Sequence, residues 1–507
     1  MKKLLLLLIA VLTMSFALTG CNESFTPPAY ENGEVKSGNG TFAVEKGDYV
    51  YFVNGVGDMA ASNAMGDVTK GALVRVKTAD IGSENANVEM VIPKFANTSS
   101  VVSGIYIYGD TVYYATPYDG KDKTGKVRSD YTDFRTFNLK TGKSNQILFE
   151  SKKVSEYAFL SNSNGVFLAY ETTETVDSKE VKAFNVYNAS GSKIFSVDNY
   201  TSLAIADNNA DKVFYTKLAY SEELKQDEGF SEVYSYTVGA TSADVVFSGC
   251  GENAKVRDGR DNASYTAKIL KYSALAGAKI TIVKYTGEIL VMKLSSNDAN
   301  LSTYYFGLEL ENGLEVDEDV KELGISNSYT DAALTASSYY KSLDEIYYLE
   351  DTTNLKGLVK FNYNNLNDVY HGRTQVCDDA AGYNIAFEND GYLYLSGTAS
   401  DYYRIKLDGS NKLQKITAVG AKSLTEWFVP RVIGDNFICA YSDAIFQNYV
   451  YSIDMTKVDE DYIENYKELD RDKVTELIKT MLGKKTDGDK SSFDSLLDST
   501  YPEEDEE

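Results

Sequence analysis

From about Thr41 onward, apolar and polar positions follow one short phrase again and again. A turn containing Gly, Asp or Asn is followed by four or five β-branched and aromatic residues. Gly47-Asp48-Tyr49-Val50-Tyr51-Phe52, Gly109-Asp110-Thr111-Val112-Tyr113-Tyr114 and Asn164-Gly165-Val166-Phe167-Leu168 are clear copies. The others are Ala210-Asp211-Lys212-Val213-Phe214-Tyr215, Thr286-Gly287-Glu288-Ile289-Leu290-Val291, Leu343-Asp344-Glu345-Ile346-Tyr347-Tyr348, Asn389-Asp390-Gly391-Tyr392-Leu393-Tyr394 and Gly434-Asp435-Asn436-Phe437-Ile438. Gly, Asp and Asn tolerate the positive φ angles of a tight hairpin. The residues after them are strong strand formers. Most copies lead into a second strand of alternating pattern. Leu73-Val74-Arg75-Val76, Phe134-Arg135-Thr136-Phe137, Val233-Tyr234-Ser235-Tyr236, Leu358-Val359-Lys360-Phe361, Tyr403-Arg404-Ile405-Lys406 and Tyr449-Val450-Tyr451-Ser452 are examples.

The copies recur roughly every 45 to 60 residues, with one wider gap before Ile289, a spacing that suits blades of about four strands. The pattern predicts an all-β chain folded as a single β-propeller. Eight blades fit the count; seven would follow if the wide gap hides a merged module. A pair of β-sandwiches is the competing architecture. Asp390-Gly391-Tyr392-Leu393-Tyr394-Leu395, followed by Tyr403-Arg404-Ile405-Lys406-Leu407-Asp408-Gly409, resembles the low-density-lipoprotein-receptor-related β-propeller repeats found in bacterial lipoproteins. The Tyr-Trp-Thr-Asp tetrapeptide of the receptor repeats is absent, and the only tryptophan, Trp427, stands outside any such motif. The resemblance implies a fold and names no ligand, because propellers host binding proteins, scaffolds and enzymes alike.

The two ends depart from this period. Lys2 and Lys3 precede an apolar stretch from Leu4 to Leu18, too short to span a bilayer and the right length for a signal peptide. It ends in Leu18-Thr19-Gly20-Cys21, which resembles the lipobox of bacterial lipoproteins. That resemblance implies cleavage between Gly20 and Cys21 and acylation of the Cys21 thiol, which anchors the chain to a membrane. The segments expected are a signal peptide at residues 1–20, a lipidated flexible tether at 21–40, the propeller at 41–455, a helical segment at 456–500 and an acidic tail at 501–507. The helix is read from Val474, Leu477, Ile478, Met481 and Leu482, with Asp472 as N-cap and Gly483 as stop.

Charge and composition narrow the chemistry. The 75 acidic residues against 50 basic ones give a net charge of −25, which repels phosphate backbones and excludes general nucleic-acid binding. One histidine, His371, excludes multi-histidine metal sites and HExxH proteases. Neither GxSxG nor a P-loop occurs. Asp207-Asn208-Asn209-Ala210-Asp211 imitates half of a calcium loop, but Lys212 stands where Gly is needed and Leu218 where Glu is needed. The cluster Glu315-Val316-Asp317-Glu318-Asp319 reads as a solvated acidic loop, and the lysine-rich loop from Tyr118 to Tyr131 as a solvated hairpin tip. No catalytic residue, metal or cofactor is nominated. Cys250, Cys377 and Cys439 contain no CxxC pair; Cys439 is expected as a buried free thiol, while pairing of Cys250 with Cys377 stays open. Forty tyrosines exceed what a core of this kind is expected to take, so some should line the faces or the central funnel.

The function expected is therefore a lipid-anchored, extracytoplasmic β-propeller that binds an envelope protein or a glycan. The alternatives are a glycan-active enzyme using a carboxylate pair and an accessory or sensor subunit of a membrane complex.

Overall fold

A computed structural model of the protein describes residues 27–458, apart from 54–71, 82–85, 94, 96–103, 118–131, 151–153, 177–178, 207–209, 222–225, 249–267, 270–278, 296–302, 312–314, 317–320, 363–371, 398–401, 417–429 and 443–447. The signal peptide, Cys21, His371, Trp427, Cys250, the Tyr118–Tyr131 loop and the expected C-terminal helix lie outside the described residues.

Eight sheets, each made of consecutive chain and antiparallel apart from a short parallel strand, Lys268–Ile269, at the edge of the fourth, form the eight blades of a propeller. They occupy residues 35–92, 106–150, 154–198, 202–269, 279–325, 339–377, 384–415 and 431–454. Within a blade we call the strands A to D from the axis outward. Every turn phrase of the sequence is an A–B hairpin, and every alternating second strand is a strand C. Gly47, Gly109, Gly287, Gly391 and Gly434 all take positive φ there. The wide gap before Ile289 hides no merged module, because complete sheets flank it at 202–269 and 279–325.

One backbone contact explains why the phrase recurs. A carbonyl of the A–B turn accepts an amide at or just past the end of strand C: Asp48 from Thr78, Asp110 from Leu139, Asp211 from Val238, Glu288 from Leu310, Gly391 from Leu407 and Asp435 from Met455. The turn is thereby tied to its own blade's next connection, so the A–B and C–D turns share one face of the ring. The C–D connection is often closed by an Asx side chain. Asn138 accepts from Thr141 N, Asn188 from Ser190 N, Asp408 from Ser410 N and Asp454 from Thr456 N. Asp408 belongs to the phrase that resembles the receptor-type repeats, and its role there is to shape a turn.

Neighbouring blades are stitched by tyrosine hydroxyls and backbone. Thr41 bridges Ile105 between blades 1 and 2. Tyr108 donates to Phe159 O and Tyr157 accepts Gly104 N, both between blades 2 and 3. Ile433 and Ile438 of blade 8 pack in the same apolar cluster as Phe42, Val50 and Val74 of blade 1, which closes the ring. Among the described residues this closure exchanges no strand, and blade 8 has three strands.

Two features differ from the sequence expectation. Residues 27–40, read as part of a flexible tether, are laid against blades 1 and 2. Strand β1 (Val35–Ser37) pairs antiparallel with β2 (Ala43–Lys46), the A strand of blade 1, on its axial edge. The same Gly and Asn residues that suggest a linker are those a tight hairpin needs. Gly38 takes φ +79° and Gly40 φ +85°, and a Cβ on Gly38 would lie 2.1 Å from Ala43 O. Between blades 5 and 6, a short helix α1 (Ser328–Ala333) starts at a reciprocal Asn327/Thr330 capping box.

Part of the tyrosine surplus is taken up by the core. Tyr51, Tyr170, Tyr236, Tyr348 and Tyr394 are among the largest fully buried side chains. Tyr51 and Tyr394 meet arginines of strand C, Tyr348 donates to Glu350 on its own strand, and Tyr236 donates to Ala240 O just beyond strand C.

Candidate functional site

Blade 1 shows how such a partner is built. Tyr49 and Tyr51 lie on β3 (Tyr49–Val53), two residues apart and so on one face of the sheet. Arg75, on β4 (Leu73–Lys77), stands opposite Tyr51. Its guanidinium stacks 4.2 Å above the Tyr49 ring and donates to Tyr51 Oη at 3.4 Å. Its Nε donates to Glu89 Oε2 at 2.8 Å, from β5 (Glu89–Ile92), and its Nη2 to Ala29 O at 2.7 Å. One buried arginine therefore joins three strands to the N-terminal segment. Burial pushes the Tyr51 hydroxyl up from its ordinary pKa, and the Arg75 hydrogen bond pulls against that shift.

The N-terminal segment continues over the turns of blades 1 and 2. Tyr30 donates to Asp110, and that hydrogen bond, aided by burial, pushes its pKa up to about 12. Lys46 donates to Gly33 O. The ammonium groups of Lys46 and Lys140 lie 5.7 and 5.9 Å from the Tyr30 ring centroid.

Beside this segment, at the seam where blade 8 meets blade 1, lies a cleft of about 590 Å³. Three parts of the chain line it: Glu31 and Lys36 of the N-terminal segment; Glu45, Asp48, Tyr49, Lys77, Thr78 and Ala79 of blade 1; and Gly434, Asp435 and Asn436 of blade 8. Four carboxylates thus face two ammonium groups. Lys36 is committed to Glu45, at 3.2 Å, and Ser37 Oγ donates to the other Glu45 oxygen at 3.4 Å. The Thr78 hydroxyl is buried and meets no partner among the described residues. A buried hydroxyl left unmatched costs about 1–3 kcal/mol. The cleft suits a ligand presenting hydroxyl or amine groups.

The remaining sequence candidates are placed as follows. Cys377 and Cys439 are free and buried, and burial pushes the Cys439 thiol up to about 12. Asp211 sits in an A–B turn of blade 4, where its carbonyl ties strand C; residues 207–209 of the calcium-like stretch lie outside the described residues. Glu315–Val316 form a short strand where a solvated loop was expected. No group of three or more His, Cys, Asp or Glu side chains among the described residues could hold a metal. Gly20 and Cys21 are outside the described residues. The cleft itself is invisible in the sequence, because its walls come from positions nearly the whole ring apart.

No family model matches the sequence, and no curated protein matches it. Among solved structures, the chain is similar to the β-propeller domain of the Trilobed protease from Pyrococcus furiosus, at 10% identity and a TM-score of 0.36, over 76% of this chain and 98% of that one. It is also similar to the acylaminoacyl peptidase of Pyrococcus horikoshii, at 10% identity and a TM-score of 0.35. That match covers 78% of this chain and only 56% of the peptidase. An uncharacterized protein, lmo1340 from Listeria monocytogenes EGD-e, matches at 12% identity and a TM-score of 0.31, over 68% and 89% of the two chains. Likenesses this distant transfer no activity. The class that the chain's own geometry defines is an eight-bladed β-propeller with a polar cleft at its seam.

Proposed function

We propose that the protein is a lipid-anchored binding module of the bacterial cell envelope, held to the membrane through Cys21, and that the seam cleft receives its protein or glycan partner. The observation that carries the binding reading is the cleft, which Asp48, Asp435, Asn436 and Thr78 line together. Such an array recognises a partner through hydroxyl or amine groups, with shape set by rigid hairpins. The Leu18-Thr19-Gly20-Cys21 motif supports the anchor.

Two variants test the two halves. Cys21→Ala should move the protein from membranes to the soluble fraction; retention after a high-salt wash would defeat the anchor. Crosslinking on intact cells, followed by mass spectrometry, should recover a discrete protein or a glycan, and Asp48→Asn with Asp435→Asn should reduce that recovery about tenfold, a change of about 1.4 kcal/mol. Unchanged recovery by the double variant would remove the cleft from the binding site.

A further inference from the structure

The N-terminal segment sets more than the position of the cleft wall. Pro27 packs on the C–D turn of blade 2, so closely that a Cβ on Gly142 would meet Pro27 Cγ at 2.9 Å. Ala29 is held by Arg75, Tyr30 by Asp110, and Gly33 by Lys46. Gly47 N donates to Glu34 O at 2.9 Å, immediately before β1. Asp110 and Gly47 belong to A–B turns, and Gly142 to a C–D turn, so this strap meets the face that these turns share at Pro27, Tyr30 and Glu34, with Ala29 reaching in to Arg75 of strand C. The chain leaves the propeller from that face, at the rim of blade 2.

Cys21 is six residues before Pro27. Six residues reach at most roughly 22 Å even when fully extended. The opposite face of the ring is a further strand length away, roughly 17–23 Å for strands of five to seven residues. Exposed Lys140 and Lys143 stand at the turn beside Pro27, a local positive tip on an acidic body. Anionic headgroups attract such a tip.

We propose that the strap orients the propeller on the bilayer, with the face that carries the A–B and C–D turns of blades 1 and 2 directed at the lipid headgroups. This rests on the reading of Cys21 as the anchor. The seam cleft opens among A–B turns, at Asp48 and Gly434 to Asn436, so it lies on the membrane-directed face and its ligand reaches it from the bilayer side. The strap acts as a rigid bracket, its backbone held by Arg75 and Lys46 of blade 1 and its Tyr30 side chain by Asp110 of blade 2.

The test uses the full acylated chain carrying Cys250→Ser, with a fluorophore at either Thr141→Cys or Asn354→Cys. Thr141 is exposed at the blade 2 rim of the strap face, and Asn354 is exposed on the B–C turn of blade 6, on the opposite face. The protein is reconstituted on vesicles of phosphatidylcholine with a minor share of phosphatidylglycerol, doped with a headgroup-nitroxide lipid. Quenching at 141 should exceed quenching at 354 several-fold. Equal or reversed quenching on vesicles that retain the protein would overturn the orientation and leave the anchor intact. Failure of the chain to sediment with vesicles would defeat the anchor, and the orientation with it. Arg75→Ala combined with Tyr30→Ala should still sediment but lose the contrast; a contrast that persists would show that the strap does not set the orientation.

Discussion

Blades 1 and 7 contain the same device and use it with different strength. In blade 1, Arg75 stacks on Tyr49, meets Tyr51, and donates to Glu89 and to Ala29 O. In blade 7, Arg404 stacks 4.5 Å above Tyr392, hydrogen-bonds Tyr394, and donates to Gln414 Oε1 at 2.7 Å and to Val458 O at 3.3 Å. Each arginine thus latches one end of the described chain, Arg75 near residue 29 and Arg404 at residue 458. The partners differ in a way that matters. Glu89 is charged and the Arg75 side chain is only 5% exposed, while Gln414 is neutral and Arg404 is half-buried. A buried charge removed from its partner leaves the other stranded, whereas a neutral amide is left only with an unmade hydrogen bond. The N-terminal latch is therefore the stronger of the two.

The largest expected effect follows directly. Arg75→Ala should lower the unfolding free energy by about 2–3 kcal/mol and expose the strap to protease, read by urea denaturation and by mapping the first cleavage. Arg404→Ala should cost about 1–2 kcal/mol and leave the N-terminal cleavage pattern unchanged. Equal losses in the two variants would mean that Glu89 adds nothing and that the two latches are alike. Tyr51→Phe and Tyr394→Phe sharpen the same comparison at a smaller scale, at about 1 kcal/mol each. In a double-mutant cycle, Tyr51 should couple to Arg75 by at least 0.5 kcal/mol, as contacting residues do; additive effects would show that the 3.4 Å contact carries no energy.

Thiol reactivity probes a different part of the ring. Cys439 in blade 8 is buried with its pKa pushed up to about 12, so almost none of it is thiolate at neutral pH. Cys377, buried in blade 6, has its pKa raised by the same cause. Both should resist a disulfide reagent until the ring unfolds. Rapid modification of Cys439 in the native protein would show that the strand-free seam between blades 8 and 1 opens, and would weaken the view of that closure as firm.

Much of the ring was legible in the sequence, for a local reason. A hairpin needs positive-φ residues within a few positions of its strands, so Gly47-Asp48, Asp390-Gly391 and Gly434-Asp435 each announce one blade. The arginine clamps were not legible, because Arg75 reads as an exposed polar position in Leu-Val-Arg-Val until Tyr51, Glu89 and Ala29 are placed around it. Nor was the strap, since Ser37-Gly38-Asn39-Gly40 has the composition of a linker and the geometry of a turn. The cleft needs Lys36, Thr78 and Asp435 together, a juxtaposition only ring closure creates. The tyrosines divide between two roles that composition does not separate: Tyr51, Tyr348 and Tyr394 find partners inside the blades, while Tyr49 lines the cleft.

The smallest expected effect separates the C–D turns of the two blades. The amides of Thr78 and Leu407 make the same contact, to Asp48 O and Gly391 O, so Ala79 and Asp408 occupy matching places. Blade 7 closes its turn with the Asp408 carboxylate, which accepts Ser410 N at 2.9 Å and pairs with Lys406 at 2.9 Å. Blade 1 has a methyl there and leaves space for the cleft. The Ser410 amide holds the Asp408 carboxyl down to about 2, from its ordinary value near 3.8. A lowered folded pKa stabilises the turn fully above the ordinary value and loses that contribution as pH falls toward 2. The Ser410 amide resonance should therefore titrate with a midpoint near 2, and Asp408→Asn, which keeps an acceptor oxygen, should abolish the titration while leaving the turn formed. A midpoint near 4 would mean that the carboxylate is not held by the turn, and blade 7 would then differ from blade 1 only in having a side chain where blade 1 has a cleft.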